Sequence, residues 1–402
     1  MKVYVIGTCD TKEQELGYAC ASVREAGAEA VLVDVSTAGT GEADVSVAVV
    51  AAFHPGGASA VLRLKARGQA ISAMAEALGL FLASRKDIGA VLGLGGGGNT
   101  ALVTQAMRVL PVGVPKLMLS TMASGQVAPY VGPTDIAMMH SVADIAGLNA
   151  ITRKVIANAA HAAAGMALHF KAEQVATLPA IGFTMFGVTT PLITTLRAAL
   201  EKSHECFVFH ATGTGGQCFE KLADSSLFSA VFDMTTTEVA DYLFGGVLPC
   251  TADRFSSFQR HPIPYIGSVG ACDMVNFGPR DTVPSQFAAR HFHIHNAQVT
   301  LMRTTADECR SIGQYIVNRL NLMAGPVRFL LPLKGVSTLD AEGQPFHDPA
   351  ADMALFEAIR QGWKHDPRRK LLEIDAHIND AVFAEAALAA FREIGETAYA
   401  TL

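Results

Sequence analysis

The stretch GLGGGGNTA, residues 93–101, decides the fold class of this sequence. It follows the apolar run DIGAVLGL and leads into NTALVTQAMRVL, in which apolar residues recur at helical spacing. An apolar run, a glycine turn and an amphipathic helix in this order are typical of a strand and its following helix in a parallel sheet. A glycine turn at the start of a helix also leaves backbone N–H groups open to a phosphate. The stretch therefore predicts either a phosphate-binding loop or a tight turn that binds nothing.

The same alternation of short apolar runs and helix-period segments continues through most of the chain, which predicts the α/β class with mostly parallel sheets. In the first half we predict strands at residues 2–7, 28–35, 88–94 and 114–120, and helices at residues 12–26, 58–84, 99–109 and 148–170. In the second half we predict strands at residues 180–187, 205–213, 230–236, 264–270, 327–335 and 370–377.

The two halves of the chain open alike. Each places a glycine and then threonines after its first strand, and each places a glycine cluster between a later strand and a helix, GLGGGGNTAL and FHATGTGGQCFEKL. This likeness predicts two related Rossmann-like, three-layer domains. We expect an N-terminal nucleotide-binding domain at residues 1–177, ending in a long helix, and a C-terminal domain at residues 178–402. The glycine-rich loops then lie at the carboxyl edges of the strands, where α/β proteins bind ligands.

The composition argues against several classes of partner. The 402 residues carry a net charge of -6, and only 17% of them are charged, so we predict no nucleic-acid partner. No apolar run reaches the ~20 residues that span a bilayer, which predicts no membrane partner. The seven cysteines are scattered without a C-x-x-C pair, which is typical of a cytoplasmic protein without a disulfide framework or a zinc knuckle.

Two nucleotide-binding templates match the first glycine cluster only in part. Gly93, Gly95 and Gly98 satisfy G-x-G-x-x-G, but the acidic residue expected about 20 positions later is missing from PVGVPKLML. The same stretch also fits the P-loop pattern G-x-x-x-x-G-K-[ST], with Asn99 in place of the lysine. We therefore predict a phosphate loop built from backbone groups alone.

The candidate nucleotide-binding residues follow the four predicted strands of the first half. They are Gly7, Thr8, Asp10, Thr11, Lys12, Asp34, Ser36, Gly95, Gly96, Gly97, Gly98, Asn99, Thr100, Ser120 and Thr121. We expect Lys12 to supply the cation that the glycine loop lacks, and Asp34 to hold a ribose hydroxyl. A second interpretation stays open, in which Thr8, Asp10 and Thr11 only cap the next helix.

Polar residues at predicted strand ends of the second half form a candidate second site. They are Thr212, Gly213, Gly215, Gly216, Asp233, Asp253, Arg254, Asp273 and Arg303. Such residues suit a small-molecule site or acid–base chemistry, although helix capping and turns account for most of them equally well. His291, His293 and His295 would share one face of a strand, but no cysteine or carboxylate lies close by in sequence, so we predict no metal. The role of these histidines stays open.

Several blocks of the sequence together resemble a known family. They include IGTCDTKEQEL, GLGGGGNTAL, YVGPTDIAMMHSVADIAGLN, DMTTTEVADYLFGGV and GQPFHDPAAD. The chain resembles the family of the ATP-binding, inhibitory domain of the tomato mosaic virus resistance protein, which is uncharacterised in bacteria and occurs also in fungi and plants. The resemblance implies two Rossmann-like subdomains, ATP in the N-terminal one, and a homodimer. Cys9 stands where the family often has alanine.

These observations favour an ATP-binding protein of uncharacterised physiological role, with ATP bound with or without Mg2+. The small-molecule or protein partner of such a protein is not indicated by the sequence. An enzyme acting on a phosphorylated or carboxylated small molecule, at the second-domain loops or the interdomain cleft, is the alternative. A third hypothesis is an interaction protein whose glycine loops bind nothing specific. The missing P-loop lysine and the absence of G-x-S-x-G and H-E-x-x-H motifs favour binding over catalysis, and whether the protein is an enzyme stays open.

Overall fold

Two units make up the chain, Met1–Glu173 and Gln174–Leu402. The computed structural model of the protein describes residues 1–37, 41–171 and 178–399. The predicted domain boundary between residues 177 and 178 lies at the edge of a segment outside the described residues.

The first unit alternates strands and helices. Its strands are β1 (Lys2–Gly7), β2 (Glu29–Asp34), β3 (Ile88–Gly95), β4 (Lys116–Ser120) and β5 (Ile136–His140). Its helices are α1 (Cys9–Glu25), α2 (Val47–Ala51), α3 (Ser59–Leu62), α4 (Arg67–Ala83), α5 (Gly97–Met107), α6 (Ala128–Val131) and α7 (Ala150–His169). Strand β3 is buried along its whole length, which explains why its sequence IGAVLGLG is apolar on both faces.

The strands of the first unit form one parallel sheet in the order β2-β1-β3-β4-β5. The chain runs from β1 outward to β2 and then returns to β3 on the other side of β1. The carboxyl ends of β1 and β3 therefore flank the point at which the strand order reverses. Open α/β sheets usually bind their ligands at such a point.

Helices cover both faces of this sheet, so the first unit has three layers. On one face α1 and α7 pack through residues such as Leu16 and Ala160, and on the other α4 and α5 pack through Phe81 and Val103. The side chain of Asn149 caps α7, because it accepts hydrogen bonds from the N–H groups of the first turn. This helix confirms the long helix predicted at residues 148–170.

The second unit also alternates strands and helices. Its strands are β6 (Ala180–Met185), β7 (Glu205–His210), β8 (Phe228–Thr235), β9 (Tyr265–Gly270), β10 (Met274–Phe277), β11 (Phe292–Asn296), β12 (Val299–Arg303), β13 (Val327–Pro332) and β14 (Arg369–Ile374). Its helices are α8 (Thr190–Leu200), α9 (Thr214–Asp224), α10 (Glu238–Phe244), α11 (Ser256–Arg260), α12 (Ala306–Leu320), α13 (Pro349–Gly362) and α14 (Ala381–Tyr399).

Six strands of the second unit form a parallel sheet in the order β14-β13-β9-β8-β6-β7. Helices α8 and α14 pack on one face of this sheet, and α9 to α13 contribute to the core on the other. Strands β10, β12 and β11 form a separate antiparallel sheet. Both units are therefore Rossmann-like α/β structures with parallel main sheets, which confirms the predicted fold class.

Some predicted elements differ from the structure. The single helix predicted at residues 58–84 is wrong, because the chain leaves the helical conformation between α3 and α4, where Ala66 is extended with φ of -77° and ψ of 113°. Strand β5 and the antiparallel sheet were not predicted, since strands of only four or five residues are too short for their periodicity to be distinguished. The break before α4 matters for the site, because it makes Arg67 the first residue of a helix.

Candidate functional site

The candidate residues of the first unit lie at the carboxyl edge of its sheet. Register pairs Gly7 of β1 with Asp34 of β2, and Gly95 of β3 with Ser120 of β4. The loops after β1 and β3 are neighbours, because Ile6 pairs with Gly93. The four predicted segments thus follow adjacent strands, at the point where the strand order reverses.

The glycine loop between β3 and α5 is open. A Cβ at Gly96, Gly97 or Gly98 would have its nearest neighbour at 3.7, 3.6 or 3.5 Å, which are ordinary contact distances. Their φ angles lie outside the left-handed region, so the protein's own packing does not require glycine at these three positions. Gly96 is the N-cap of α5, where glycine is common, but Gly97 and Gly98 lie within the helix, where glycine costs up to about 1 kcal/mol relative to alanine. The run of glycines therefore calls for another explanation.

Gly95 differs from the three glycines that follow it. Its φ is 156°, and a Cβ there would lie 2.7 Å from the Cβ of Asn99. Gly95 thus allows the chain to turn sharply out of β3. The next backbone N–H groups, from Gly96 to Asn99, have no acceptor among the described residues, as expected for the first turn of a helix without a capping side chain.

Side chains of α5 and β4 hold this loop in place. The hydroxyl of Thr100 lies 2.9 Å from the carbonyl oxygen of Gly96 and 2.6 Å from the Ser120 hydroxyl, which in turn accepts the N–H of Met122. The amide nitrogen of Asn99 donates to the carbonyl of Leu94. Asn99, in the position of the P-loop lysine, therefore fastens the loop through its amide nitrogen.

The loop after β1 is held by residues that follow β2. The Asp34 carboxylate accepts the Cys9 N–H at 3.0 Å and the Ser36 N–H at 2.9 Å, and the Ser36 hydroxyl accepts the Asp10 N–H at 3.1 Å. Asp34 is fully buried. Through these bonds, Asp34 and Ser36 cap the start of α1. The capping role explains why a carboxylate is needed at Asp34 without invoking a bond to a ribose hydroxyl.

The predicted capping of α1 by its own threonines is not what the structure has. Thr8 is the N-cap residue but makes no side-chain capping bond. Its hydroxyl lies 3.0 Å from the Thr11 hydroxyl instead, at the partly exposed edge of the sheet. Both hydroxyls thus stay near the surface.

Two cations lie near the edge of the sheet, and they differ in their partners. The Lys12 ammonium donates to the carbonyl of Ile145. Arg67 is exposed, and no ion pair or hydrogen bond of its guanidinium is present among the described residues. Its Nη2 atom lies 3.7 Å from the position of a Cβ on Gly98. The sequence did not single out Arg67, because the predicted helix at residues 58–84 placed it inside an element.

Two buried side-chain oxygens of this region lack partners. Asp10 Oδ1 and Asn99 Oδ1 are shielded from solvent and accept no hydrogen bond from the described residues. An unsatisfied buried acceptor costs about 1–3 kcal/mol. Both atoms suit a donor group or a cation brought by a ligand.

The glycine cluster of the second unit is not equivalent to the first. It follows β7, an edge strand, whereas the first cluster follows β3 at the point where the strand order reverses. A Cβ at Gly213, Gly215 or Gly216 would lie 2.3, 1.8 or 2.0 Å from a protein oxygen atom. Packing alone therefore requires glycine in the second cluster, in contrast to Gly96, Gly97 and Gly98 of the first.

Arg254 is the centre of a buried ionic network behind the second cluster. Its guanidinium bonds to Asp233 at 2.7 Å, Glu238 at 2.7 Å and Glu220 at 3.2 Å. Glu238 also accepts the N–H of Gly213 at 2.8 Å, so a carboxylate of the protein occupies the start of α9. Burial raises the pKa of Glu238 to about 7, against the opposing effect of Arg254.

Arg303 is the centre of a second buried network. Its Nη2 atom lies 2.8 Å from Asp352 and 3.2 Å from Asp340, while its Nη1 atom is 3.5 Å from the backbone oxygen of Asp273. Burial, and then the neighbouring Asp273 and Asp352, raise the pKa of Asp340 to about 9.

The candidate second site is thus divided between two enclosed networks. Arg254, Asp233, Asp273 and Arg303 are all buried, and their charged groups bond within the protein. The side chain of Thr212 donates to the carbonyl of His210, and Asp253 is exposed without a bond to either arginine. The structure does not bring these residues together into one open site.

The three histidines lie on or beside β11. The rings of His291 and His293 both meet the ring of Phe346 edge-on, with centroid distances of 5.4 and 6.2 Å, and His295 is exposed. Among the described residues, no three His, Cys, Asp or Glu side chains are grouped so that they could hold a metal ion. In the same part of the chain, no helix has the length and hydrophobicity needed to span a membrane.

Two three-layer units with parallel sheets and a glycine loop at a strand-order reversal define a Rossmann-like α/β protein. Models of an uncharacterised protein family (UPF0261) match this chain, its N-terminal domain at residues 1–172 and its C-terminal domain at residues 178–395. The chain belongs to this family, which confirms the resemblance found in the sequence.

Relatives in bacteria and tomato are similar over nearly the whole chain. A UPF0261 protein of Rhizobium meliloti is 55% identical and covers 98% of this chain and 99% of its own length. The ToMV resistance protein Tm-1 of Solanum lycopersicum is 40% identical over 98% of this chain, which spans 56% of the tomato protein. A ketoreductase from a modular polyketide synthase, 13% identical and covering 98% of this chain and 89% of its own, has a TM-score of 0.22, too low to support an argument.

Proposed function

We propose that the N-terminal unit binds a nucleotide, ATP with or without Mg2+, on the loop of Gly95 to Thr100. The observation that carries this proposal is the run of three glycines at the start of α5 that the protein's own packing does not require. Their absent side chains leave room for a phosphate to reach the unpartnered N–H groups of the first turn. The family resemblance of the sequence points to ATP as the nucleotide.

The surrounding residues support this proposal in different roles. We assign Asp34, Ser36, Thr100 and Ser120 to positioning the loops, because their polar groups already bond to them. The unpartnered oxygens of Asp10 and Asn99 are acceptors for the ribose hydroxyls, the base amine or a magnesium ion of the nucleotide. Thr8, Thr11 and Thr121 lie at the accessible edge of the site.

The second unit gives no matching support for a nucleotide site or a catalytic site. Its glycine cluster is filled by protein atoms, and its buried acids bond to Arg254 and Arg303. We therefore favour nucleotide binding over the enzyme hypothesis. Phosphate release during incubation with ATP and magnesium, at a rate above that of a Gly97→Val variant, would favour the enzyme instead.

Calorimetric titration with ATP tests the site. Gly97→Val places a branched side chain where the phosphate would approach, and Gly17→Val is the matched control, since Gly17 is exposed on α1 with nothing within 4 Å of its Cβ position. Loss of one hydrogen bond to a charged phosphate costs about 1.5–3 kcal/mol, so we expect Gly97→Val to weaken ATP binding by about tenfold or more. Gly17→Val should bind as the wild type does. Equal affinity in the wild type and Gly97→Val, both folded, would disprove the site.

We also propose, from the family resemblance, that the protein is a homodimer and, from its scattered cysteines, that it is cytoplasmic. The native mass of the purified protein at micromolar concentration tests the dimer. A mass of twice the 42.4 kDa chain is expected, and a single chain mass would contradict it.

A further inference from the structure

Arg67 lies beside the glycine loop as a cation without a partner in the described part of the chain. It begins α4, and its Nη2 atom lies 3.7 Å from the position of a Cβ on Gly98. The segment that ends with it, RLKAR at residues 63–67, carries three cations, and the described residues offer none of them a carboxylate. Lys12, by contrast, already donates to the carbonyl of Ile145.

The local electrostatics near Arg67 favour an anion. Helices α4 and α5 pack against each other, and neither has an acidic residue in its first turn. Their N-cap residues, Ala66 and Gly96, provide no capping side chain. Each helix N-terminus carries about half a positive charge. The two partial charges repel the Arg67 guanidinium, and a bound anion would relieve this repulsion.

A second observation at the loop points to a ligand independently. Asn99 is 9% exposed, and its Oδ1 atom has no hydrogen-bond donor among the described residues. The side chain sits in the first turn of α5, directly after Gly98. A ligand that satisfies it must bring a donor or a cation in addition to its negative charge, as a nucleotide or its magnesium complex does.

We propose that Arg67 binds a distal phosphate of a polyphosphate nucleotide and so makes the site selective for triphosphates and diphosphates over monophosphates. This inference rests on the proposed nucleotide site. The α5 N-terminus takes one phosphate through backbone N–H groups, and the guanidinium, with its fork of donors, takes the next. A monophosphate satisfies the glycine loop and leaves Arg67 unpaired.

Titration of ATP, ADP and AMP into Arg67→Ala and Arg67→Lys tests the proposal. Arg63→Ala is the matched control, because it removes the same charge from the same exposed segment. We expect Arg67→Ala to weaken ATP binding by about tenfold or more and AMP binding by less than about threefold, as loss of one charged hydrogen bond predicts. Arg67→Lys should restore part of the ATP affinity, and Arg63→Ala should change all three affinities by less than about threefold.

The outcomes separate this inference from the proposed function. If Gly97→Val abolishes nucleotide binding but Arg67→Ala leaves it unchanged, the proposed role of Arg67 is wrong and the proposed nucleotide site stands. An equal loss for ATP and AMP in Arg67→Ala would overturn the selectivity. No binding of any of the three nucleotides to the wild type would overturn both proposals.

Discussion

Replacing Gly216 with alanine would place a methyl group inside the Arg254 network. The new Cβ would lie 2.0 Å from Oε1 of Glu238 and 2.6 Å from its carboxyl carbon. Glu238 would have to move by more than 1 Å to restore an ordinary contact distance, which lies above about 3.4 Å. The movement would break its 2.7 Å bond to Arg254 and its 2.8 Å bond to the N–H of Gly213.

Disrupting a buried ion pair in this way costs about 3–5 kcal/mol. We therefore expect Gly216→Ala to lower the free energy of unfolding of the second unit by about that amount. Gly187→Ala is the matched control, because Gly187 is exposed and nothing lies within 4 Å of its Cβ position. An alanine there should change the free energy of unfolding by less than about 1 kcal/mol.

Urea unfolding followed by tryptophan fluorescence measures the difference directly. The single tryptophan of the chain, Trp363, lies in the second unit and reports its unfolding. A Gly216→Ala protein within 1 kcal/mol of the wild type would refute the reasoning that packing, and not a ligand, explains the second glycine cluster.

Two further perturbations test the buried charges of each unit. Burial raises the pKa of Asp241 from 3.8 to about 6. The folded state therefore holds this proton more tightly than the unfolded state, and the stability gained from it is fully present below pH 3.8 and is lost as the pH rises through 6. The shift corresponds to about 3 kcal/mol of unfolding free energy. In urea titrations, the free energy of unfolding should therefore fall less between pH 4 and pH 7 for Asp241→Asn than for the wild type. An equal fall in both proteins would contradict this. In the first unit, Asp135 bonds to the fully buried ammonium of Lys116 at 2.7 Å. Asp135→Ala should cost about 1–3 kcal/mol in thermal or urea unfolding, and Lys116→Met in the same chain should recover part of that loss; no recovery would show that the unpaired charge is not the cause.

The sequence predicted the fold because buried parallel strands have a simple signature. Strand β3 is enclosed on both faces and reads as one apolar run, and the glycines after it mark its end. The convergence of the loops after β1 and β3 also followed from the strand pattern, since the carboxyl ends of parallel strands share one edge. Local sequence was sufficient for both conclusions.

The parts of the site that depend on distant contacts could not be predicted. Asp34 matched the position of a ribose-binding acid, but its carboxylate caps α1, 25 residues away in sequence. The second glycine cluster resembled the first in the sequence, and only the protein atoms packed against Gly213, Gly215 and Gly216 distinguish the two. The sequence did not point to Arg67, because the apolar periodicity of residues 58–84 continues across the non-helical residues between α3 and α4. Helix propensity is a weak guide to such an interruption.

Amide hydrogen exchange with and without ATP tests the central claim, that the first glycine loop binds the nucleotide and the second does not. Bound phosphate would accept hydrogen bonds from the N–H groups of Gly96 to Asn99, which have no acceptor in the part of the chain that the structure describes. Exchange in peptides covering residues 93–101 should therefore slow when ATP is added. Exchange in peptides covering residues 210–218 should stay the same. Protection of residues 210–218 without protection of residues 93–101 would contradict the account.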